Sequence, residues 1–400
     1  MNVLVLNCGS SSLKYRLLAL PGDRELAGGE AQRVGPRTAE PSRILHHADG
    51  QQTVHTVEMP DHAIAFDEIM RLLAHTGAPR PNALGHRLVH GGTRFSGPTI
   101  MDDDALRDLQ AIQKLAPLHN PPATALIAAC RERYPDLPQV AVFDTAFHAT
   151  IPACAATYAL PRKLTAKLGI RKYGFHGTSH QYVVEEAARF LKKPLAKFSA
   201  VSCHLGSGGA SLCAVVDGRS VDNTMGFSPL QGLVMSTRCG DLDSTSALRL
   251  LIAARGDTDA LEKTLNKSSG VLGLSGISGD IRDVLAAPAP DETDPARRHA
   301  TSQVYLWRLR KYLGAYLATV GDADAIIFTD TIGETMPGVR AAVCADMDCF
   351  GVRMDFQHNA APLSLPCDVA TMDSDIRILV VATNEELAIG RQTYATLPPP

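Results

Sequence analysis

The sequence predicts an α/β protein built from two copies of one domain. An apolar run, a glycine-rich turn and a second apolar run follow one another at residues 3–20 and again at residues 200–216, and a third glycine-containing turn follows an apolar run at residues 325–334. The pattern is typical of strand, tight turn and strand. The first two hairpins lie about half a chain apart, which is too long a period for a solenoid or propeller. We therefore expect two similar domains facing each other across a cleft, in which one ligand could meet phosphate-binding turns from both sides.

Length and composition agree with two folded domains. The chain has 400 residues, of which 45% are hydrophobic, and a formal net charge of −3, so complete cores are expected and a nucleic-acid partner is not. Nine cysteines without a C-x-x-C pair favour neither a zinc site nor a disulfide framework, and free thiols suit a reducing compartment. No transmembrane run or charged leader is evident. A cytoplasmic protein without a membrane partner is expected.

The elements of the first half follow from hydrophobic periodicity and turn signals. We expect a hairpin at residues 2–20, further strands within 21–60, a helix at 63–75, a strand from 83 into Gly91-Gly92, a helix at 103–114, a rigid loop at 116–122, a helix at 123–134 and a strand at 139–143. Arg87 lies in an apolar strand and needs an anionic partner, either a ligand or an internal carboxylate. Asp144 follows a strand at the end where α/β sheets present ligand-binding groups, although it could equally cap a helix.

The second half contains the richest glycine turn. Gly206-Ser207-Gly208-Gly209 exposes backbone amides that can hold a phosphate, with an ordinary hairpin turn as the alternative. His176 precedes a helix that runs through Leu191, with Ser179 as a possible cap. Further expectations are helices at 244–254, 259–267 and 300–320, an exposed loop at 285–294, a helix through Cys344 after the third turn, strands within 369–382 and a last helix capped by Thr383.

Seven motifs then occur in one order: NCGSSSLK, GHRLVHGG, AVFDTAFH, KYGFHGTSH, CHLGSGG, TRCGDLD and TNEEL. In this combination the chain resembles the acetate/propionate kinase family over essentially its whole length. The resemblance implies two duplicated actin-like (ribonuclease H-like) domains with mixed sheets flanked by helices and an active-site cleft between them. Residues 1–146 plus 384–400 would form the N-terminal domain, and residues 147–383 the nucleotide-binding C-terminal domain. It also implies a cytoplasmic homodimer.

The implied reaction is a reversible transfer of phosphate from ATP to acetate, which gives acetyl phosphate and ADP with Mg²⁺ as the metal and Mn²⁺ as the alternative. The acetate nucleophile is already ionised, so no general base is needed; the enzyme must instead offset charge repulsion, for which guanidinium groups are suited. The resemblance assigns catalysis to Arg87, His119, Asp144, His176 and Arg238, with Asp144 orienting Arg238 or a metal-bound water. It assigns acyl-group binding to Arg87, Val89, Leu118, Phe175 and Pro229, metal binding to Asn7 and Glu385, and nucleotide binding to Lys14, His204, Gly206, Ser207, Gly208, Gly209, Asp280, Arg282, Asp330, Thr331, Gly333 and Glu334.

Some positions depart from the family pattern. Asp330 and Thr331 stand where the family usually has two glycines, and Ser207 stands where it usually has asparagine. We expect either that Asp330 faces the nucleotide and weakens ATP binding by charge repulsion, or that this turn tilts outward into solvent. The alternatives to acetate and ATP are therefore propionate or another short carboxylate, a phosphoryl donor other than ATP, and a non-catalytic nucleotide-binding regulatory relative. Val89 favours acetate, because a smaller residue would admit propionate more readily.

Overall fold

The computed structural model describes residues 1–36, 39–117, 119–287 and 294–398. These residues form two compact units. The first unit comprises Met1–Phe147 and Asn384–Pro400, and the second comprises His148–Thr383. Each unit is an α/β domain with one mixed sheet, as the sequence predicts.

The first unit begins with a hairpin, and a buried strand is the last of its strands before the chain enters the second unit. Its elements in chain order are β1 (Asn2–Cys8), β2 (Ser12–Ala19), β3 (Arg24–Gln32), β4 (Arg43–Ala48), β5 (Gln51–Thr56), α1 (His62–His75), β6 (Ala83–Leu88), β7 (Thr99–Ile100), α2 (Asp103–Ala111), α3 (Asn120–Arg133) and β8 (Gln139–Phe143). The sheet order is β5-β4-β3-β2-β1-β6-β8-β7. The strands β1, β6 and β8 run parallel, and their apolar runs are buried, as expected for parallel strands covered on both faces.

The second unit carries most of the helices of the described chain. Its elements are α4 (Ala153–Ala156), α5 (Arg162–Leu168), α6 (Gly177–Phe190), β9 (Ala200–Leu205), β10 (Ala210–Val216), β11 (Arg219–Asn223), α7 (Ser244–Ala253), α8 (Thr258–Lys267), α9 (Gly270–Ser275), α10 (Ile281–Leu285), α11 (Pro295–Val320), β12 (Ala325–Thr329), α12 (Asp330–Thr335), α13 (Pro337–Cys344), α14 (Phe356–Ala360), β13 (Cys367–Asp368) and β14 (Arg377–Val380). The chain then returns to the first unit as α15 (Glu385–Thr396). Short 3-10 helices lie at Gln113–Leu115, Ala146–Thr150, Leu195–Lys197 and Asp348–Phe350.

The two sheets share one topology, which confirms the predicted duplication. The second sheet has the order β11-β10-β9-β12-β14-β13. It matches the order β3-β2-β1-β6-β8-β7 of the first sheet strand for strand. In both sheets three antiparallel strands are followed by two parallel strands and an antiparallel edge strand. The first unit differs by its additional pair β4 and β5.

The helix predicted after the third glycine turn is present as α12 and α13, and it begins within the turn itself at Asp330. Three other local predictions are wrong. The loop predicted at residues 116–122 ends earlier, because Pro121 and Pro122 occupy the first turn of α3, where proline loses no helical hydrogen bond. Ser179 lies inside α6, whose N-cap is His176. The cap of α15 is Asn384, whose side chain accepts from the Leu387 amide, and not Thr383.

Two further features bear on the sequence predictions. The segment 288–293 of the predicted exposed loop lies outside the described residues. Within the described chain, no helix has the length and apolar character needed to cross a membrane.

Candidate active site

In the first unit, three of the predicted residues lie where parallel strands end. Asn7 is near the end of β1, Arg87 is near the end of β6, and Asp144 follows β8 directly. Because the pairing brings Leu6 beside His86 and Arg87 beside Val142, these ends meet at one edge of the sheet. Lys14 is directly opposite Asn7 in the first hairpin. This edge is the usual place for ligand-binding groups in an α/β sheet.

Arg87 is held by two carboxylates of its own unit. Its Nη2 donates to Asp144 Oδ2 at 2.8 Å and its Nε to Asp144 Oδ1 at 3.3 Å, while Nη1 lies 3.2 Å from Glu385 Oε2. Burial opposes the charge, but Asp144 and Glu385 outweigh it and raise the pKa of Arg87. The Asp144 side chain is only 3% exposed, so this carboxylate orients Arg87 within the first unit. Glu385 belongs to the first turn of α15, which fixes the other side of the guanidinium.

The turn after β6 is fixed by a buried asparagine that sequence reasoning missed. Asn120 Nδ2 donates to the His90 carbonyl at 2.7 Å, and the His90 amide donates to Asn120 Oδ1 at 3.3 Å. Val89 is half-buried in this turn and His119 is exposed at the N-cap of α3. Leu118, which was predicted to bind the acyl group, lies outside the described residues. The signal for Asn120 was its place before Pro121-Pro122, which predicts a fixed turn but not the partner.

In the second unit, the glycine turn between β9 and β10 lies beside a cationic side chain and an imidazole. A Cβ placed on Gly209 would lie 3.4 Å from Arg238 Nη1 and 3.5 Å from His176 Nε2. A Cβ placed on Gly206 would lie 2.7 Å from Asp330 Oδ2 and 2.8 Å from the Gly209 carbonyl. Close packing therefore requires glycine at Gly206, whereas a Cβ at Gly209 would make ordinary van der Waals contacts. Ser207 and Gly208 are exposed at the tip.

His176 has an unusual backbone and a supported ring. Its φ is +58°, a conformation that side chains other than glycine adopt at a cost, commonly at functional sites. Its Nδ1 lies 2.9 Å from Ser211 Oγ, and the same hydroxyl lies 2.8 Å from His180 Nε2. His180 Nδ1 in turn lies 2.9 Å from Ser202 Oγ. Burial, with His148 and His204 nearby, holds the pKa of His180 well below its ordinary value, so this ring is neutral.

The His204 ring packs against the tilted His176 ring, and both of its nitrogens have hydrogen-bond partners. The two ring centroids are 4.2 Å apart. His204 Nδ1 lies 2.9 Å from Ser179 Oγ, which lies 2.9 Å from Thr383 Oγ1, and Nε2 lies 3.0 Å from Asp330 Oδ2. The Asp330 side chain is 27% exposed and points to His204, so the expectation of a turn tilted into solvent is wrong.

Arg238 differs from Arg87 in having no carboxylate. Its Nη1 donates to the Pro229 carbonyl at 3.2 Å and contacts Met235 Sδ at 3.6 Å. Within the described chain it forms no ion pair, and burial lowers its pKa. Even a half-buried cation without a counter-charge carries a desolvation cost. We name the group of His176, His204, Gly206–Gly209 and Arg238 the second-unit anion site, because its donors are of the kind that bind phosphate or carboxylate.

The remaining predicted residues have structural contacts. Asp280 caps α10 and pairs with Arg282 at 2.5 Å, and its hydrogen bond from Arg282 lowers the pKa of Asp280. Glu334 Oε1 accepts from the amides of Asp330 at 2.8 Å and Thr383 at 3.1 Å. Gly333 and Phe175 are buried, and the hydroxyl of Thr331 donates to Asp330 Oδ1 at 2.9 Å.

Known proteins of the same fold and similar sequence include acetate and propionate kinases. The family model described as the acetokinase family matches residues 2–391. The chain belongs to the acetokinase family. A curated relative, the acetate kinase of Alkaliphilus metalliredigens, is 43% identical over 99% of this chain and 100% of its own. The crystal structure of Porphyromonas gingivalis acetate kinase superposes with a TM-score of 0.91 at 35% identity, over 99% of this chain and 100% of that one. A propionate kinase from Francisella tularensis gives 0.90 at 36% identity, over the same shares of the two chains.

Membership of the acetokinase family accounts for the paired sheets and the ordered motifs. The motifs did not predict the contacts of three hydroxyl groups, those of Ser179, Ser211 and Thr383. Each contacts an imidazole of the second-unit anion site or the hydroxyl next to it. A serine three residues after His176 was a visible signal, but a cap was the simpler interpretation.

Proposed function

We propose that this protein is a kinase that transfers a phosphoryl group reversibly from ATP to acetate, giving ADP and acetyl phosphate. The observation that carries the proposal is Arg238, a half-buried guanidinium without a carboxylate partner in the described chain, beside the glycine turn and two imidazoles. Such a group is stable when an anionic ligand supplies the missing charge. The chain's membership of the acetokinase family and the acetate kinases among its relatives support the same reaction.

Each unit carries charged groups that suit one of the two reacting groups, the acetate carboxylate or the phosphoryl group. Arg87, oriented by Asp144 and Glu385, binds the acetate carboxylate, and Val89 in the next turn limits the acyl group. The second-unit anion site binds the transferring phosphoryl group, where Arg238 offsets the charge that spreads over its oxygens in the transition state. The acetate oxygen needs no general base, because acetate is ionised at neutral pH.

The imidazoles act as fixed hydrogen-bond donors. If Ser202 donates to His180 Nδ1, then His180 Nε2 donates to Ser211, whose hydroxyl donates to His176 Nδ1. This order leaves the proton of a neutral His176 ring on Nε2, the nitrogen that lies beside Gly209. His176 then donates to a phosphoryl oxygen as charge develops there. The donor is organised before the reaction, which is the arrangement that stabilises a transition state most.

A divalent cation, Mg²⁺ by our proposal, fits the oxygen donors of the first unit. Asn7 and Glu385 would hold it, since amide and carboxylate oxygens suit this hard ion. The described chain contains no cluster of three or more His, Cys, Asp or Glu that could hold a metal. A cation bound by few protein oxygens, with water and phosphate oxygens completing its shell, is the usual situation for Mg²⁺. When bound, it would neutralise the nucleotide phosphates.

A homodimer is the proposed assembly. The ten-residue helix α7 and the helix α8 contain no buried residue, and Leu248 and Ile252 of α7 are 61% and 69% exposed. Helices this short are marginal in water unless their apolar face is packed. A second copy of the chain would cover this face. We also infer a cytoplasmic location, which the nine free thiols support.

The proposed reaction is tested by trapping its product. With ATP, magnesium and acetate, we expect hydroxylamine to convert the acyl phosphate into a hydroxamate, and omission of any one component should abolish the signal. Propionate should react with a kcat/KM lower by roughly 10-fold, because one methylene in an apolar pocket is worth about 1–3 kcal/mol. The same assay with other nucleotides or pyrophosphate in place of ATP tests which compound is the phosphoryl donor.

Absence of hydroxamate with every donor and several short acids would end this proposal. It would instead favour a non-catalytic nucleotide-binding protein. A higher kcat/KM for propionate than for acetate would change the assigned substrate and leave the reaction class intact.

A further inference from the structure

Asp330 combines a strained backbone with a fixed side chain. Its φ is +64°, which crowds the Cβ of any residue except glycine. Such strain persists where the surroundings impose it and is often associated with function. Here the imposing contact is to the backbone, because the Asp330 amide donates to Glu334 Oε1 at 2.8 Å. This contact does not involve the side chain of Asp330.

The carboxylate is placed on the donors of the second-unit anion site. Its Oδ2 lies 3.0 Å from His204 Nε2 and presses against Gly206, while Oδ1 accepts from the amide and hydroxyl of Thr331. Burial raises the pKa of Asp330, but the hydrogen bond and charge of His204 and the bonds from Thr331 outweigh it and hold this pKa well below its usual range. The group is therefore a carboxylate at neutral pH.

The Asp330 carboxylate is unusual in carrying a negative charge among groups that suit anion binding. Within the described chain, Asp330 is the one carboxylate paired with His204, and Arg238 is paired with no carboxylate. His204 faces Asp330 with Nε2, and its Nδ1 is hydrogen-bonded to the Ser179 hydroxyl. Both ring nitrogens of His204 are thus already used by the protein itself.

We propose that the Asp330 carboxylate is a fixed negative charge within the phosphate site. It engages His204 Nε2, lies against Gly206 and thereby weakens the binding of phosphate-bearing ligands. The inference rests on the proposed function, which puts phosphate at this glycine turn. A phosphate bound there meets a like charge within about 4–6 Å, which in a half-buried, partly screened site changes a binding constant by roughly 10-fold to 100-fold. Asp330 is then a determinant of ligand affinity and not a catalytic group.

The experiment compares Asp330→Asn and Asp330→Gly with the wild type by isothermal titration calorimetry. The probes are ADP and, separately, inorganic phosphate, in the absence of acetate. Asparagine keeps the size and removes the charge, and glycine also suits the backbone angle. Both variants keep the hydrogen bond from the backbone amide of residue 330 to Glu334, so both should fold. Circular dichroism checks this. We expect both to bind each probe about 10-fold to 100-fold more tightly.

The matched control is Asp346→Gly. Asp346 also has a positive φ, +51°, but it is exposed and forms no contact with an imidazole in the described chain. Its replacement should leave both dissociation constants unchanged. Unchanged or weaker binding in the Asp330 variants would overturn the proposal, and tighter binding with glycine alone would show that bulk, not charge, is responsible. Calorimetry requires no turnover, so a chain that makes no acetyl phosphate would refute the proposed function without deciding this result.

Discussion

At the scale of single residues, two arginines of one chain have opposite electrostatic surroundings. Arg87 is paired with Asp144 and Glu385, so its orientation is fixed and part of its charge is balanced by the protein. Arg238 is bonded to a carbonyl and a thioether sulfur, so its charge is available to a ligand. Since the reaction that we propose concentrates negative charge on a phosphoryl group, Arg238 should contribute most to the transition state.

Replacement of Arg238 by alanine should lower kcat by roughly 100-fold or more, because charge stabilisation in the transition state is lost. Lysine at this position should rescue poorly, since its point charge lacks the planar fork. Steady-state kinetics with varied acetate and ATP measure both effects. A variant with the wild-type kcat and only a raised KM would show that Arg238 binds substrate equally in the ground and transition states. Arg189→Lys, in an exposed pair with Glu186, is the control and should change neither parameter.

At the scale of elements, α12 is a six-residue helix held at both ends by charged side chains. Glu334 accepts from the Asp330 amide at its start. At its end, Arg340 Nη1 donates to the carbonyls of Gly333 at 2.8 Å and Glu334 at 2.9 Å. Arg340 is 1% exposed, and its Nε donates to Asn359 Oδ1 at 2.7 Å. Burial lowers the pKa of Arg340 to about 10, so it remains a cation, favourably placed at a helix C-terminus.

Replacement of Arg340 by methionine should lower the free energy of unfolding by roughly 2–4 kcal/mol, because buried carbonyls lose their donors. Urea unfolding followed by circular dichroism measures the change. The control is Arg189→Met, which removes an exposed arginine of the same unit and should change stability by less than about 0.5 kcal/mol. Equal stability of the Arg340 variant and the wild type would mean that α12 does not need this cap.

At the scale of the whole molecule, the exposed helices α7 and α8 are connected to the loop that carries Arg238. The Cys239 amide donates to the Leu265 carbonyl at 3.1 Å, and the Thr237 hydroxyl donates to the Asn266 carbonyl at 2.7 Å. Residues of α8 therefore support the backbone on either side of Arg238. A second copy packed on these helices would stabilise the same loop, which connects the proposed assembly to the proposed site.

The double variant Leu248→Asp with Ile252→Asp should convert the proposed dimer into a monomer. These two residues are four apart on one face of α7, and a buried, unpaired carboxylate at an interface is costly. Analytical ultracentrifugation measures the mass in solution. Val54→Asp is the control, because Val54 is 62% exposed on β5 of the first unit and should leave the dimer intact. A monomeric wild type, or a double variant that remains dimeric, would contradict the proposed surface.

The sequence alone determined the fold class, the duplication and the family. Apolar runs, glycine turns and helical periodicity are local signals, and they placed β1, β6, β8, β9 and most helices within a few residues. Where prediction was wrong, the competing signal was also local: Pro121-Pro122 suggested a loop but suits the first turn of a helix.

Only the tertiary structure decided which groups are partners. The pairing of Arg87 with Asp144 and Glu385, the bond from His204 to Asp330 and the contact of Ser179 with Thr383 join residues 57, 298, 126 and 204 positions apart, as the difference of each pair's numbers shows. No local pattern encodes such contacts, because they arise when the ends of parallel strands meet at one edge of a sheet. The sequence therefore determined which chemical groups are present, and the fold decided which charges are paired within the protein and which are not.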